Sequence, residues 1–439
     1  MIDETRRTAF KVLTKADRGS RINEVLHQVL AGSAHTQQER RFITELVLGS
    51  IRMQRRLDAE LAACYDGRYN HMEWGVKQLL RMGAYQLRYM DSVPPHAALS
   101  TTVELAKAVD LARAAKLING VLRELSRRAP SDDVSDDAPA DELATAFSHP
   151  TWLVERWLKR WDRDRTAALM EWNNRRPVVW LRQRISAEHR ERLANVAKEK
   201  GLTLVPHPLL PDYVTAEPSP ASLLEAEVLN IGSFIVQDPA SGAVVQAVEP
   251  QVGEVIIDLC AGPGGKTAAM AELVGTEGRI LAYELDPGRV ALINDTLVRL
   301  GLENVDLYPG DATAQSLPKA DKILIDAPCT GTGVMARRTD LRWRRQPEQL
   351  AEMTNIQMSL LEHAARSLQS GGTLVYATCS LETEENWDLI HEFQSRHPQF
   401  FVVPMPEGVP RGWIDDLGAL STFPPDHQVD GIFAVRLKV

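Results

Sequence analysis

The sequence predicts an all-α domain followed by an α/β domain with a doubly wound, mostly parallel sheet, and a small α/β subdomain between them. Three observations predict this. The first 130 residues show only helix-type apolar spacing, an acidic stretch interrupts the chain after them, and strands alternate with helices from about residue 236 onward. The expected domains are residues 1–130, an acidic linker at 131–145, the subdomain at 146–235 and the larger α/β domain at 236–439.

Composition limits the number of domains and the classes of protein that need to be considered. The 439 residues are 44 % hydrophobic and 25 % charged, which is enough chain for two or three domains with real cores. No apolar run reaches membrane-spanning length, and the start MIDETRRTAFKVL lacks a secretory pattern, so we expect a cytoplasmic protein without a membrane partner. The four cysteines have no CxxC spacing, which favours reduced thiols and no bound metal.

The net charge of −9 would ordinarily argue against a nucleic-acid partner, because phosphate contacts need Lys and Arg. Much of the acid, however, lies in SDDVSDDAPADE, whereas arginines cluster in ERRF, RMQRR and ARRTDLRWRRQ. Each basic cluster taken alone is better interpreted as a solvated helix face than as a binding patch. The charge distribution therefore permits RNA binding without establishing it.

The spacing of the apolar residues predicts helices throughout residues 1–130, the helical front of the chain. In SRINEVLHQVLAG the apolar residues recur at helical intervals, with Ser20 as a possible N-cap and Gly32 as a possible C-cap. VKQLLRMGAYQL and KLINGVLREL repeat the pattern. A compact helical bundle is the prediction for this region, and the acidic stretch after it suits a solvated linker.

After the linker, FSHPTWLVERWLKRW and DRTAALMEWNN predict helices, PVVWLRQRIS and LTLVPHP predict strands, and AEHRERLANVAKEKG predicts the helix between those strands. Beyond residue 236 the predicted strands are VIIDL, RILAYEL, DLYPGD, KILIDAP and TLVYAT. The helices between them are TAAMAELVG, PGRVALINDTLVRLG and one around NIQMSLLEHAARSL. This alternation predicts right-handed crossovers in a parallel sheet.

The first of these strands leads into a glycine-rich turn, VIIDLCAGPGGKT, which is close to a phosphate-binding loop. Cys260 occupies the position where that loop needs its first glycine, and Asp258 stands where phosphates would lie. A dinucleotide site agrees better, since Glu284 follows Gly264 by roughly 20 residues. The turn nevertheless lacks the G-x-G-x-x-G spacing.

Four successive strands end near a carboxylate: Asp258, Glu284, Asp311 and Asp326. Acids can simply cap strand ends, but four at the rim where open α/β sheets bind ligands favour a cationic cofactor. S-adenosylmethionine carries a sulfonium and an ammonium. We expect its methionine part against the glycine turn, its ribose on Glu284, its adenine near Asp311 and its methyl group facing Asp326.

Two thiols follow adjacent predicted strands, Cys329 in DAPC and Cys379 in YATCS. Carbon 5 of cytosine is a methyl acceptor that needs a thiolate, because it becomes nucleophilic only after a nucleophile adds to carbon 6. A hydrogen bond from Asp326 to the ring nitrogen would ease that addition. Cys260 is interpreted as part of the cofactor turn and Cys64 as a core residue.

At these residues the chain resembles a known family. DLCAGPGGKT, DAPCTGTGV and YATCS, in this order, resemble the motifs of the RNA 5-methylcytosine methyltransferases of the NOL/NOP/Sun family. The resemblance implies a Rossmann-like methyltransferase domain, Cys379 as the nucleophile and Cys329 as an aid to product release. The cofactor residues it implies are Cys260, Ala261, Gly262, Pro263, Gly264, Gly265, Lys266, Glu284, Asp311 and Asp326.

The helical front resembles a NusB-type RNA-binding domain in ERRFITELVLGSIRMQRRLD, LLRMGAYQLRYM, VPPHAALSTTVELAK and LINGVLREL. Together with the catalytic motifs this resembles bacterial Sun-type enzymes, which methylate a cytosine in 16S ribosomal RNA, free or in an early small-subunit particle. Another RNA such as tRNA is the alternative substrate, and we expect a monomer. The arginines expected to hold the RNA backbone are Arg337, Arg338, Arg342, Arg344 and Arg345.

Departures from the family pattern are few. Gly262 stands where alanine is more usual, Glu284 where aspartate is usual, and Arg184 where an L-R-x-N segment has asparagine. The role of Arg184 is therefore open, as is that of Lys266, which either shapes the cofactor pocket or neighbours the base. DGIFAVRL resembles the family's closing strand.

Three other classes of protein are the alternatives to this interpretation. A redox enzyme on the same fold would bind NAD and not S-adenosylmethionine. A non-enzymatic antitermination factor would explain the NusB-like front but neither cysteine motif. A DNA cytosine methyltransferase would favour the Pro-Cys thiol and a duplex substrate.

Overall fold

The computed structural model describes residues 3–16, 21–130, 135 and 137–439. The chain forms two compact units, Met1–Arg176 with Met335–Arg345, and Pro177–Val334 with Gln346–Val439. The predicted N-cap Ser20 and most of the acidic stretch from 131 to 136 lie outside the described residues. A helix at Ala140–Ala146 falls largely within the range given to the linker, and the boundaries between the four predicted segments stay a prediction.

The first unit is helical over its described residues up to Arg176, and the predicted helices are confirmed there. Thr36 and Glu39 form a reciprocal capping box that starts the third helix, and Leu46, Leu57 and Leu79 are fully buried in the core. Its helices are α1 (Glu4–Ala16), α2 (Ile22–Ala31), α3 (Gln37–Arg52), α4 (Gln54–Ala63), α5 (Trp74–Tyr89), α6 (Pro95–Ala108), α7 (Ala115–Arg127), α8 (Ala140–Ala146), α9 (Thr151–Arg160) and α10 (Arg163–Asn174).

The basic cluster RMQRR, at the junction of α3 and α4, was interpreted as a solvated helix face, and this is wrong. Arg52 is only 4 % exposed, and Arg56 is half-buried. Arg55 donates hydrogen bonds to the His149 carbonyl at 2.8 Å and to Thr151 Oγ1 at 2.8 Å. These side chains lie inside the unit, because later helices of the same unit cover them.

Arg342 also corrects a prediction. It was expected to hold an RNA backbone, but its side chain is fully buried within the first unit. Its guanidinium donates to the carbonyl oxygens of Ser148 at 3.1 Å and Asn173 at 2.8 Å, and to Asn174 Oδ1 at 2.8 Å. Arg342 is thus a structural residue, whereas Arg338 and Arg344 are exposed.

The second unit contains two sheets. The smaller has four strands in the order β2-β3-β1-β4, all antiparallel, and packs its core around Leu181, Leu193 and Phe234. Its strands are β1 (Leu181–Gln183), β2 (Thr203–Pro206), β3 (Tyr213–Glu217) and β4 (Phe234–Val236). The sequence predicted only the first two, because YVTAE and FIV are too short to show a strand periodicity of their own.

The larger sheet has the order β10-β12-β9-β8-β5-β6-β7, and β11 pairs with β12. Its strands are β5 (Val255–Asp258), β6 (Arg279–Glu284), β7 (Val305–Pro309), β8 (Ala320–Asp326), β9 (Leu368–Thr378), β10 (Phe401–Val402), β11 (Leu420–Ser421) and β12 (Phe433–Lys438). The run from β9 to β7 is parallel, and β12, the predicted closing strand, is antiparallel to β9. The predicted doubly wound sheet is confirmed.

The strand order reverses at β5, which has β6 on one side and β8 on the other. Ligands of open α/β sheets bind at such a switch point, beyond the carboxyl ends of the strands. The remaining helices of the chain are α11 (Ala187–Glu199), α12 (Ala226–Leu229), α13 (Pro239–Val248), α14 (Gly265–Val274), α15 (Pro287–Leu300), α16 (Leu341–Arg344), α17 (Gln349–Ser367), α18 (Trp387–Arg396) and α19 (Pro424–His427).

Candidate active site

The four predicted acids follow the sheet order along one rim. Asp311 comes after β7, Glu284 ends β6, Asp258 ends β5 and Asp326 ends β8. Because β7, β6, β5 and β8 are neighbours in the sheet, these carboxyl groups form a row across the switch point. The cysteines continue the row, since Cys329 follows β8 and Cys379 follows β9.

The glycine-rich turn from Cys260 to Lys266 connects β5 to α14. Gly264 caps α14 with φ of +85°, a conformation that favours glycine, and Gly262 has φ of +57°. The Ala261 amide donates to the Tyr283 carbonyl at 2.9 Å, which ties the turn to β6. Pro263 is exposed and Gly265 is the first residue of α14.

Glu284 is fixed beneath this turn. Its carboxylate accepts hydrogen bonds from the Gly262 amide at 2.9 Å and the Asp286 amide at 2.8 Å, and the side chain is almost fully buried. Asp311 is exposed and accepts from the Thr313 amide at 2.8 Å. The two acids are held by local backbone donors, so their orientation is set before any ligand arrives.

Asp258 is the most deeply buried of the four acids. Its Oδ2 accepts a hydrogen bond from Thr267 Oγ1 at 2.7 Å, whereas Oδ1 has no partner among the described residues. Burial raises the pKa of Asp258 to about 7, and the neighbouring Asp326 adds to the rise. A buried carboxyl oxygen without a partner, in a row of acids, suits a ligand that brings positive charge.

The two thiols of the rim are in contact. Cys329 Sγ lies 3.1 Å from Cys379 Sγ, with Cys329 buried and Cys379 half-buried. The hydrogen bond to Cys379, together with burial, raises the pKa of the Cys329 thiol well above its ordinary value. Cys329 is therefore held as a neutral S–H donor beside the more accessible Cys379. Cys260 is half-buried, and burial likewise raises the pKa of its thiol.

Lys266 reaches from the glycine turn to the same place. Its Nζ lies 2.7 Å from Asp326 Oδ2. Burial opposes its charge, but the Asp326 carboxylate and the nearby Cys379 thiol together raise the pKa of Lys266. The ammonium group is thus on the β8 and β9 side of the rim, next to the cysteines.

Glu385 positions both cysteine loops and was missed in the sequence. It is fully buried and accepts from the Thr330 amide at 2.8 Å, from Thr330 Oγ1 and from Ser380 Oγ. Thr330 directly follows Cys329 and Ser380 directly follows Cys379, so one carboxylate connects the two loops. The only sequence signal is the acidic run LETEEN just after Cys379, in which nothing distinguishes this glutamate.

Arg184 has a structural role within the second unit. Its Nε pairs with Glu272 of α14, its Nη1 donates to the Leu300 carbonyl at 2.6 Å, and Arg182 reaches the same glutamate at 2.7 Å. These bonds hold β1 against the helices of the larger sheet. The sequence left the role of Arg184 undecided. Its hydrogen bonds and ion pair show that it is a structural residue.

Two other kinds of site, a membrane span and a metal centre, concern the described residues. None of the helices among them is long and apolar enough to span a membrane. No group of three or more His, Cys, Asp or Glu side chains in the described part of the chain is arranged to hold a metal ion.

Family models match three stretches of the chain. The NusB family matches residues 3–127, a ferredoxin-like domain of RsmF/B-like methyltransferases matches residues 149–219, and the 16S rRNA methyltransferase RsmB/F model matches residues 245–438.

Curated relatives match over nearly the whole chain. The probable ribosomal RNA small subunit methyltransferase B of Synechocystis sp. is 33 % identical over 440 residues and covers 99 % of both chains. A protein of the same name from Bacillus subtilis is 33 % identical over 428 residues, covering 95 % of this chain and 94 % of that one. The ribosomal RNA small subunit methyltransferase B of Citrobacter koseri is 35 % identical over 371 residues, covering 83 % and 84 %.

Solved structures share the fold. The crystal structure of PH0851 has a TM-score of 0.80 at 24 % identity and covers 99 % of each chain. NSun6 from Pyrococcus horikoshii, solved with SFG, has a TM-score of 0.56 at 23 % identity and covers 65 % of this chain and 96 % of its own. With the matched models, the acidic rim and the paired cysteines together, the chain belongs to the ribosomal RNA small subunit methyltransferase B family and is a methyltransferase that uses S-adenosylmethionine as its methyl donor.

Proposed function

We propose that this protein methylates carbon 5 of a cytosine in 16S ribosomal RNA through a covalent bond between Cys379 and carbon 6 of the base. The observation that carries the proposal is the contact between the Cys329 and Cys379 thiols, 3.1 Å apart at the end of the acidic row. Oxygen and nitrogen acceptors need only a base, whereas carbon 5 of cytosine needs a nucleophile on carbon 6. The names of the relatives support ribosomal RNA as the substrate, with tRNA as the alternative.

The residues of the rim fit the cofactor. The turn from Cys260 to Lys266 would hold the methionine part, Glu284 the ribose hydroxyls and Asp311 the adenine amino group, and Asp326 would face the methyl group. When bound, S-adenosylmethionine supplies an electrophilic methyl group on a sulfonium. Asp258 contributes the buried, unpartnered carboxyl oxygen that a cationic ligand would compensate.

Cys379 is the better nucleophile of the pair because it is the more exposed thiol, whereas the raised pKa of Cys329 keeps that thiol protonated. The sulfur of Cys379 forms a bond to carbon 6 of cytosine, and the electron pair of the double bond between carbons 5 and 6 moves toward carbon 5. Carbon 5 thereby becomes nucleophilic and can accept a methyl group. In its protonated form, Asp326 would donate a hydrogen bond to the ring nitrogen, where negative charge develops during this addition; Lys266 Nζ lies 2.7 Å from Asp326 Oδ2.

Product release reverses the covalent step. Once carbon 5 carries the methyl group, a base takes the proton of carbon 5, and the electrons of that C–H bond re-form the double bond between carbons 5 and 6 and expel the Cys379 thiolate. The Cys329 S–H donates a hydrogen bond to the departing sulfur, as the contact between the two thiols allows. Its raised pKa keeps the proton on Cys329 for this purpose.

This mechanism gives an asymmetric expectation for two single variants. Cys329→Ala should accumulate a covalent protein–RNA complex on a denaturing gel, because release is slowed while addition is not. Cys379→Ala should form no adduct and no 5-methylcytosine. Cys64→Ala, which alters a thiol of the first unit, is the matched control and should behave as wild type. An adduct in Cys379→Ala and not in Cys329→Ala would exchange the roles.

The substrate is tested by mapping 5-methylcytosine in small-subunit rRNA from cells with and without this protein. We expect one site to disappear on deletion, to return with the wild-type chain and to stay absent with Cys379→Ala. A complete 16S pattern in the deletion strain, with a site lost from tRNA instead, would select the alternative substrate.

A further inference from the structure

A groove on the first unit contains groups that the methyl-transfer chemistry does not use. Its volume is about 380 Å³, and all of its lining residues belong to the helical unit. The residues that matter chemically come from the end of α3, the start of α4, the end of α5 and the region around the end of α10. They are Arg52, Arg56, Tyr85, Tyr89 and Arg175.

Arg52 is the central feature of this groove. It is 4 % exposed, its Nε is buried without a partner, and no described residue accepts a hydrogen bond from its guanidinium. The nearest carboxylate, Glu45, is already bonded by Tyr85 Oη at 2.5 Å and by Arg176 Nη2 at 2.8 Å. Glu45 attracts the charge of Arg52, but this carboxylate is shared with Arg176 and Tyr85 and leaves Arg52 Nε without an acceptor, which is unfavourable for a buried charged group.

Other positive charges surround Arg52. The buried Arg342 lies close enough for the two charges to repel, and burial together with Arg52 lowers the pKa of Arg342 to about 9. Burial also lowers the pKa of Arg52 itself. Arg56, which pairs with Glu60 at 3.4 Å, and the exposed Arg175 line the same groove, in which Glu171 is an exposed carboxylate. The excess of positive charge fits an anionic ligand.

Aromatic rings form the other part of the groove. Tyr85 and Tyr89 stack with ring centroids 5.2 Å apart and an interplanar angle of 26°, and Tyr89 is half-buried. The rings can approach α3 closely because Gly49 has no side chain; a Cβ there would lie 2.0 Å from the Tyr85 ring. A partly exposed aromatic surface beside a guanidinium with an unpartnered Nε is a combination that suits a base and its phosphate.

We propose that this groove binds one nucleotide of single-stranded RNA, with its phosphate on Arg52 and its base on Tyr89. The proposal rests on the proposed RNA substrate and adds a contact surface on the helical unit. An acidic protein segment would supply the charge but would leave the tyrosine stack without a ligand, so RNA is the occupant that uses both features.

The test separates a ligand-binding arginine from a structural one. In the full-length chain, Arg52→Met keeps the apolar stem and removes only the charged guanidinium. We expect its melting temperature to be equal to or above that of wild type, whereas its Kd for an unmodified 16S rRNA transcript rises about tenfold. The slope of log K against log salt should fall by about 1, as expected for one lost phosphate contact.

Two further variants complete the experiment. Tyr89→Leu should weaken binding of the same transcript about tenfold through lost stacking, with little change in the salt slope. Arg113→Met is the matched control, because Arg113 is exposed and paired with Glu73 elsewhere on the unit, and it should leave the Kd unchanged.

The outcomes distinguish this proposal from the proposed function. If the wild-type protein binds and methylates the transcript, and both Arg52→Met and Tyr89→Leu bind it with wild-type affinity, then the groove does not bind RNA and the proposed function still stands. A lower melting temperature in Arg52→Met with unchanged affinity would assign Arg52 to the fold. Failure of the wild-type chain to bind the transcript would overturn both proposals.

Discussion

Asp258 is a buried carboxyl group whose surroundings oppose its ionisation. Its pKa is about 7 in the folded chain, against an ordinary value of 3.8. Between these two pH values the folded state keeps a proton that the unfolded state releases, so this group stabilises the fold less as the pH rises from about 4 to about 7. An uncharged carboxamide at the same position would not titrate.

We therefore expect Asp258→Asn to raise the melting temperature relative to wild type, and to raise it more at pH 8 than at pH 5. The Thr267 hydroxyl can still donate to the asparagine oxygen. Asp306→Asn is the control, because hydrogen bonds from Arg279 lower the pKa of Asp306 and keep it ionised in both states throughout this range. If Asp258→Asn changed the melting temperature equally at both pH values, the raised pKa of Asp258 would be wrong.

The sequence predicted which residues lie on the rim but not how they contact one another. Asp326 and Cys379 could be placed because the carboxyl ends of adjacent parallel strands meet at one edge. The ion pair between Lys266 and Asp326 joins residues 60 positions apart, and no local pattern encodes it. The contact between the two thiols depends on Glu385, whose role becomes visible only when both loops are folded.

At the scale of elements, the loop after Cys329 is held by backbone contacts that leave no room for a side chain. The Gly333 amide donates to the Cys379 carbonyl at 3.0 Å, and the Gly431 amide donates to the Gly333 carbonyl at 2.8 Å. A Cβ on Gly333 would lie 2.1 Å from the Gly431 carbonyl oxygen. The cysteine loops and the loop before β12 therefore fix one another.

We expect Gly333→Ala to displace this loop, to lower the melting temperature by several degrees and to reduce methylation more than cofactor binding. The reason is that the backbone of Gly431 cannot move aside as a flexible side chain would. Gly412→Ala, in the same unit, adds a Cβ into open space and should be nearly neutral. Thermal unfolding and a methylation assay measure both effects, and a silent Gly333→Ala would reject the close contact.

The elements themselves were predicted unevenly. The strands β5, β6, β8 and β9 are apolar runs bounded by glycine, proline or acids, and helix α15 starts at Asp286-Pro287 and ends before Gly301 as its sequence signals indicate. The strands β3 and β4 were missed because a small antiparallel sheet needs only short segments. Their pairing partners, and not their own sequences, make them strands.

At the scale of the whole molecule, the helical unit is completed by residues from the middle of the other unit's sequence. Met335–Arg345 belongs to the first unit, and its Arg342 satisfies two carbonyl groups and one side-chain oxygen there. No sequence pattern predicted this, since ARRTDLRWRRQ has the appearance of an exposed basic segment.

Arg342→Met should therefore lower the stability of the full chain by about 3 kcal/mol, because it leaves buried acceptors without donors. Arg344→Met changes an exposed arginine in the same short helix and should have little effect. The contrast with Arg52→Met is informative: the two buried arginines are close together, yet only Arg342→Met should lower the melting temperature. A neutral Arg342→Met would show that the acceptors find other partners.

The late position of Arg342 also affects synthesis. The ribosome completes residue 176 long before residue 342, and at about 5–20 residues per second the interval is roughly 8–33 s. During that time the acceptors around Asn173 have no hydrogen bond from Arg342, while the residues of the glycine-rich turn are being translated. The nascent helical unit would thus acquire its final packing only after most of the cofactor side of the sheet has been translated.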